Sequence, residues 1–159
     1  MSTTFDPDLV VAALETALRD LVNDEKVQID SVSAQSIDAD GNFIVDRNAA
    51  VLIFFAGETH SEPQDNTKTE YQSEQTYALI CGARNLQSTK MERNEVLGLV
   101  SKVRKIAGAK LTIGGEEEDP AQLPPIKLLG TEPFDFGKNG SWYAVNIVVE
   151  ALVQFDSEA

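Results

Sequence analysis

Chemistry-bearing side chains are scarce in this chain of 159 residues, which has one cysteine, Cys81, one histidine, His60, and one tryptophan. A single cysteine excludes an intrachain disulfide and any thiolate metal cluster built from this chain alone, and it fits a reducing compartment. No apolar run approaches the ~20 residues that cross a bilayer as a helix. The opening MSTTFDPDLV has no basic stretch leading into an apolar one, so a soluble protein without an export signal is expected. Basic residues are half as numerous as acidic ones, 13 against 26, and the net charge of −13 repels nucleic-acid phosphates and anionic membranes alike.

Motifs that organise catalysis are equally sparse. No strained-turn GxSxG surrounds a serine, and no glycine loop followed by Lys-Ser or Lys-Thr opens a helix. His60 lies in a polar stretch, where a solvated loop residue is the simpler reading than a general base. Cys81 falls on the apolar face of a strand pattern and reads as a small buried hydrophobe. Asp38, Asp40 and Asn42 echo a calcium loop but lack its glycine and terminal glutamate spacing, so an Asp-Gly turn accounts for them. The run Glu116, Glu117, Glu118, Asp119 reads as a solvated acidic loop rather than a cation site. No cofactor, metal or catalytic residue is expected. Carboxylates that converge from distant positions, such as Asp46 and Glu150, would be the route back to a small enzyme.

What the chain does have is 42% hydrophobic content, enough for one core, and a patterned order of elements. Asp6, Pro7 and Asp8 open a helix expected over 6–23, with Asp6 as N-cap and Val10, Leu14, Leu18 and Leu21 on one stripe. Val27 and Ile29 alternate with polar residues, predicting a short strand before a tight reversal at Asp38 to Asn42. AAVLIFFA over 49–56, closed by Gly57, reads as a central strand buried on both faces. Residues 58–71 (ETHSEPQDNTKTEY) read as a long exposed excursion, and 114–125, with Gly114, Gly115, four acidic residues and prolines, as a second one.

Tyr77, Leu79, Cys81 and Ala83 alternate on a strand over 72–84. A second helix is expected over 89–107, with Thr89 and Glu92 at capping-box spacing, Val96, Leu99, Val100, Val103 and Ile106 as its core stripe, and Gly108 as a left-handed terminator. Ile126 to Leu129 predicts a short strand. The longest alternation runs from Tyr143 to Phe155, about 40 Å of strand at ~3.3 Å per residue, long enough to outrun its sheet. The fold class expected is α+β, a single domain over 1–159 in which two helices pack on one face of a mostly antiparallel sheet of four to six strands.

Charge is distributed unevenly. From Arg84 to Lys110 seven basic residues face two acidic ones, a local +5, which leaves −18 on the remainder. Basic residues near a helix C-terminus have a local electrostatic reason, but a subunit with one basic element and acidic faces elsewhere is also suited to pairing head to tail with copies of itself.

The segments YALICGARNLQSTKMERNEVLGLVSKVRKIAGAKL, PPIKLLGTEPF and SWYAVNIVVEALVQF, in this order, resemble the Mu-like phage tail proteins of the tail-terminator type. The likeness covers most of the chain and is best from Tyr77 to Phe155; it lies in element order and texture, and the polar excursion and acidic loop are longer here. The resemblance implies a homo-oligomeric ring, a hexamer in that family, that caps the tail tube, ends its polymerisation and prepares the tail for head joining. It implies as partners the tube protein, with sheath and head-completion proteins beyond it, DNA passing through an acidic lumen without specific binding, no membrane, and a place in the virion tail after assembly in the host cytoplasm. By position, oligomer or tube contacts would fall to His60, Asp65, Lys68, Arg84, Arg93, Lys102, Arg104, Lys105, Glu116, Glu117 and Glu118. A head-tail connector subunit and an acidic DNA-mimic or inhibitor are the alternatives. A basic second helix speaks against the mimic, because such proteins spread acid over their helices.

Overall fold

The computed structural model describes residues 6–31, 49–61, 70–83, 89–113, 121–122, 126–134 and 141–154. Helix α1 spans Pro7–Val22. Proline is tolerated at its first position because that N–H has no helical partner in any case. Asp6 stands at the N-cap in extended conformation, but its side chain makes no capping hydrogen bond; its carbonyl instead accepts from the Leu9 and Val10 N–H groups. The helix ends at Asn23, whose left-handed φ of 45° lets its N–H reach the Arg19 carbonyl. Asparagine tolerates that conformation better than most non-glycine residues, which explains the stop.

Strands β1 (Val27–Ser31), β2 (Ala49–Ser61) and β3 (Glu70–Ala83) follow. Helix α2 (Thr89–Val103) tightens into a 3-10 turn over Arg104–Gly108 that buries Ile106. The turn closes through the Ala109 N–H on the Ile106 carbonyl with Ala109 extended, and Gly108 is not left-handed, so the expected glycine terminator is not used. β4 (Thr112–Ile113) and β5 (Ala121–Gln122) form a small antiparallel pair, and β6 (Lys127–Pro133) and β7 (Ser141–Gln154) complete the chain.

The main sheet has five strands in the order β1-β2-β3-β7-β6. Every neighbour pair is antiparallel except β1 with β2. This is an α+β fold with a mostly antiparallel sheet. A parallel pair needs a crossover rather than a tight turn, so β1 and β2 do not form a hairpin; the Asp38 to Asn42 turn lies outside the described residues. The strand over 141–154 does not outrun the sheet either. β3 matches it residue for residue from Glu70↔Gln154 to Ala83↔Ser141, because β3 itself begins at Glu70 and carries its polar half alongside.

Both helices pack on one face. Val10, Leu14, Leu18 and Val22 of α1, with Val96, Leu99, Val100 and Val103 of α2, meet Val51, Ile53, Leu79, Cys81, Val145, Ile147 and Val149 in one buried cluster. Burying a leucine such as Leu14 contributes about 2–3 kcal/mol. On the other face a smaller cluster of Ala50, Leu52, Ala78 and Ile80 is flanked by Phe134 and Trp142. β2 is thus central and buried on both faces over Ala50 to Ile53, but Phe54, Phe55 and Ala56 reach solvent.

Candidate functional site

Polar side chains enter the core face at the far end of the three long strands. Alternation along β3 puts Ser73 and Gln75 on the same face as Tyr77, Leu79 and Cys81, and both are fully buried. β2 reaches that face only through an irregularity. Phe55 pairs with Tyr77 and Gly57 with Thr76, leaving Ala56 without a partner. Gly57 holds a φ of 146°, a conformation that a Cβ disfavours. This bulge inverts the alternation of β2, so Glu58 and His60, rather than Thr59, come to lie beside Gln75 and Ser73.

A hydrogen-bonded chain results. The Tyr77 hydroxyl donates to Gln75 Oε1 at 2.8 Å, Gln75 Nε2 donates to Glu58 Oε2 at 2.7 Å, and His60 Nε2 lies 2.9 Å from Glu58 Oε1. The chain runs from the buried tyrosine to a histidine whose side chain is 40% exposed. Burial, then the nearby Glu58 and Asp8 charges, push the Tyr77 hydroxyl well above the usual phenol range, so it acts as a neutral donor. The Phe55 ring packs against the Tyr77 ring with centroids 5.4 Å apart. Ser73 Oγ, opposite His60 in register, is buried and has no hydrogen-bond partner. The serine–histidine hydrogen bond that activates a nucleophile is therefore not made. Cys81 is buried deeper along the same face, and desolvation pushes its thiol up to about 12, which suits a packing role. Among the described residues no three His, Cys, Asp or Glu side chains are grouped to hold a metal ion.

The predicted contact residues divide between several places. His60 belongs to β2 and not to a loop, because strand pairing extends through Ser61↔Gln72. Arg93 on α2, Lys102 in its last turn, and Arg104 and Lys105 on the 3-10 turn are all exposed. Asp65, Lys68, Arg84, Glu116, Glu117 and Glu118 lie outside the described residues. No protein-family model and no curated protein matches the sequence. Acidic side chains gather elsewhere: an open cleft of about 460 Å³ between the end of α1 and β1 is lined by Asp24, Glu25 and Asp30, together with Arg19. Arg19 is held by Glu15 one turn back and reaches the Ile29 carbonyl. No helix among the described residues is long and apolar enough to cross a membrane.

Glu58, Ser73 and Gln75 were not singled out by sequence reasoning. Gly57 inside an apolar strand pattern was the available signal, since a strand glycine often marks a bulge.

Proposed function

We propose that this chain works by contact rather than by catalysis, as a ring-forming subunit that caps a phage tail tube and ends its polymerisation. The observation that carries the reading is the separation of charge on the fold. Arg93, Lys102, Arg104 and Lys105 are exposed along α2 and the 3-10 turn, whereas Asp24, Glu25 and Asp30 line the cleft beside β1. Cations concentrated at the last turn of α2 and on the 3-10 turn, with acidic groups in a cleft elsewhere on the subunit, favour a head-to-tail contact, and such contacts make rings when the rotation closes. The α+β order that resembles the tail-terminator proteins supplies the biological setting. The polar chain from Tyr77 to His60 ties the ends of β2 and β3 together.

Negative-stain imaging and light scattering of the purified protein test this. A closed ring is expected, and reversing the patch with Arg104→Glu and Lys105→Glu is expected to dissociate it. A protein that stays monomeric under all conditions, with no effect on tube length, overturns the reading.

A further inference from the structure

Among the described residues β6 is the outer strand of the main sheet on its side, and all seven of its residues are exposed, including Leu128 at 42% and Leu129 at 60%. An exposed strand edge offers unpaired backbone groups to another strand, and exposed leucines add apolar area to that offer. The register of β6 on β7 shows which partner strand fits. Lys127 pairs with Val148 and Leu128 with Ile147, but the next pair is Gly130 with Asn146, so Leu129 is an extra, bulged residue.

Ile147 and Val145 belong to the helix-side core, so their partners Leu128 and Thr131 lie on that face. Lys127, Gly130 and Glu132 lie on the opposite face. There Lys127 Nζ meets Glu150 at 2.7 Å, and Asn146 Nδ2 donates to Glu132 at 3.2 Å.

We infer that β6 pairs antiparallel with β6 of a second copy about a two-fold axis, joining the two sheets edge to edge. Directly opposed residues must share a face. Because of the bulge, the register that satisfies this on both sides sets Lys127 opposite Glu132 of the second copy and Leu128 opposite its Thr131, with Leu129 and Gly130 at the centre. In that register each of the two ends carries one opposite-charge pair, the two related by symmetry. Pro133, which lacks an N–H, falls outside the paired stretch. A bulge, an edge lysine and a proline ordinarily discourage pairing with arbitrary strands; here the same features favour the strand's own copy. The contact is isologous and closes at two subunits, so it is independent of the head-to-tail contact of the ring.

Sedimentation of the full chain across a range of concentrations tests the pairing, with folding of each variant checked by circular dichroism. The wild type is expected to dimerise. Lys127→Glu alone and Glu132→Lys alone are each expected to weaken the dimer on the order of tenfold, because two attractive pairs become repulsive. Two combinations are expected to restore it: the double swap in one chain, and a one-to-one mixture of the two single variants, in which every strand end again meets its opposite. A protein monomeric at all concentrations overturns the inference. So does an oligomer indifferent to both substitutions, since the contact would then lie on a different strand, or one in which only the double swap recovers, since residues 127 and 132 would then act on each other within one chain. A ring unaffected by these changes would sink the β6 contact and leave the ring standing; a swap-sensitive dimer that never forms rings would do the reverse.

Discussion

Ser73 and Tyr77 lie on one face of β3 and place opposite demands on the surrounding core. The Tyr77 hydroxyl is satisfied by Gln75, whereas the Ser73 hydroxyl is buried with nothing to bond. Removing a satisfied buried donor leaves its acceptor exposed to the loss, while removing an orphan relieves a desolvation penalty. Tyr77→Phe is therefore expected to lower the unfolding free energy by about 1–2 kcal/mol, and Ser73→Ala to raise it by about 1 kcal/mol. Urea denaturation of the two variants checks both signs; a large loss on Ser73→Ala would mean that the hydroxyl has a partner in solution. Cys81 was legible at this scale from the sequence, because its neighbours at two-residue spacing are apolar. Gln75 and Ser73 were not, since polar residues on a strand read as solvent-facing until their burial is known.

Between elements, β3 and β7 are locked by a close approach. Gly82 is paired with Trp142, and a Cβ on Gly82 would collide with the indole ring at Cε3. The indole lies across the glycine and flanks the smaller cluster on the face opposite α1 and α2. Gly82→Ala must displace the ring, at a cost of about 1–3 kcal/mol, and a shift of tryptophan fluorescence should accompany it because Trp142 is the only tryptophan. An unchanged emission spectrum and unchanged stability would refute this packing. Elements were well marked by the sequence wherever one face is apolar: α1 by its four-residue spacing, β7 by its unbroken alternation. The end of α2 was less well marked. Gly108 looked like a left-handed stop, yet the helix tightens at Arg104, bringing Ile106 into the core before glycine is reached.

For the whole molecule, burial of titratable groups couples stability to pH. Desolvation raises the Cys81 thiol from 9.0 to about 12. Above about pH 9 the unfolded chain loses this proton while the folded one keeps it, so fewer protons are bound in the unfolded state and stability falls with rising pH. The contribution is complete below pH 9 and disappears as pH rises through about 12. Tyr77, shifted in the same direction chiefly by burial, adds to the decline from about pH 10 upward. The melting temperature should drop progressively over this range, and Cys81→Ala should flatten part of the slope whatever its effect at pH 7. An identical slope in that variant would show that the thiol ionises as readily folded as unfolded.

Composition and periodicity by themselves determined that this chain forms an α+β unit with an apolar face on each helix, a buried thiol and no marked catalytic motif. These are local properties, carried by spacings of two, three and four residues. Tertiary structure alone decided that β1 runs parallel to β2, that β3 accompanies β7 along its full length, and that Ser73 and Gln75 are enclosed. It also decided that His60 and Glu58 face them, because one unpaired residue at Ala56 inverts every side chain that follows on the strand. Alternation gives the period of a strand, but its partner and its phase come only from the strands beside it.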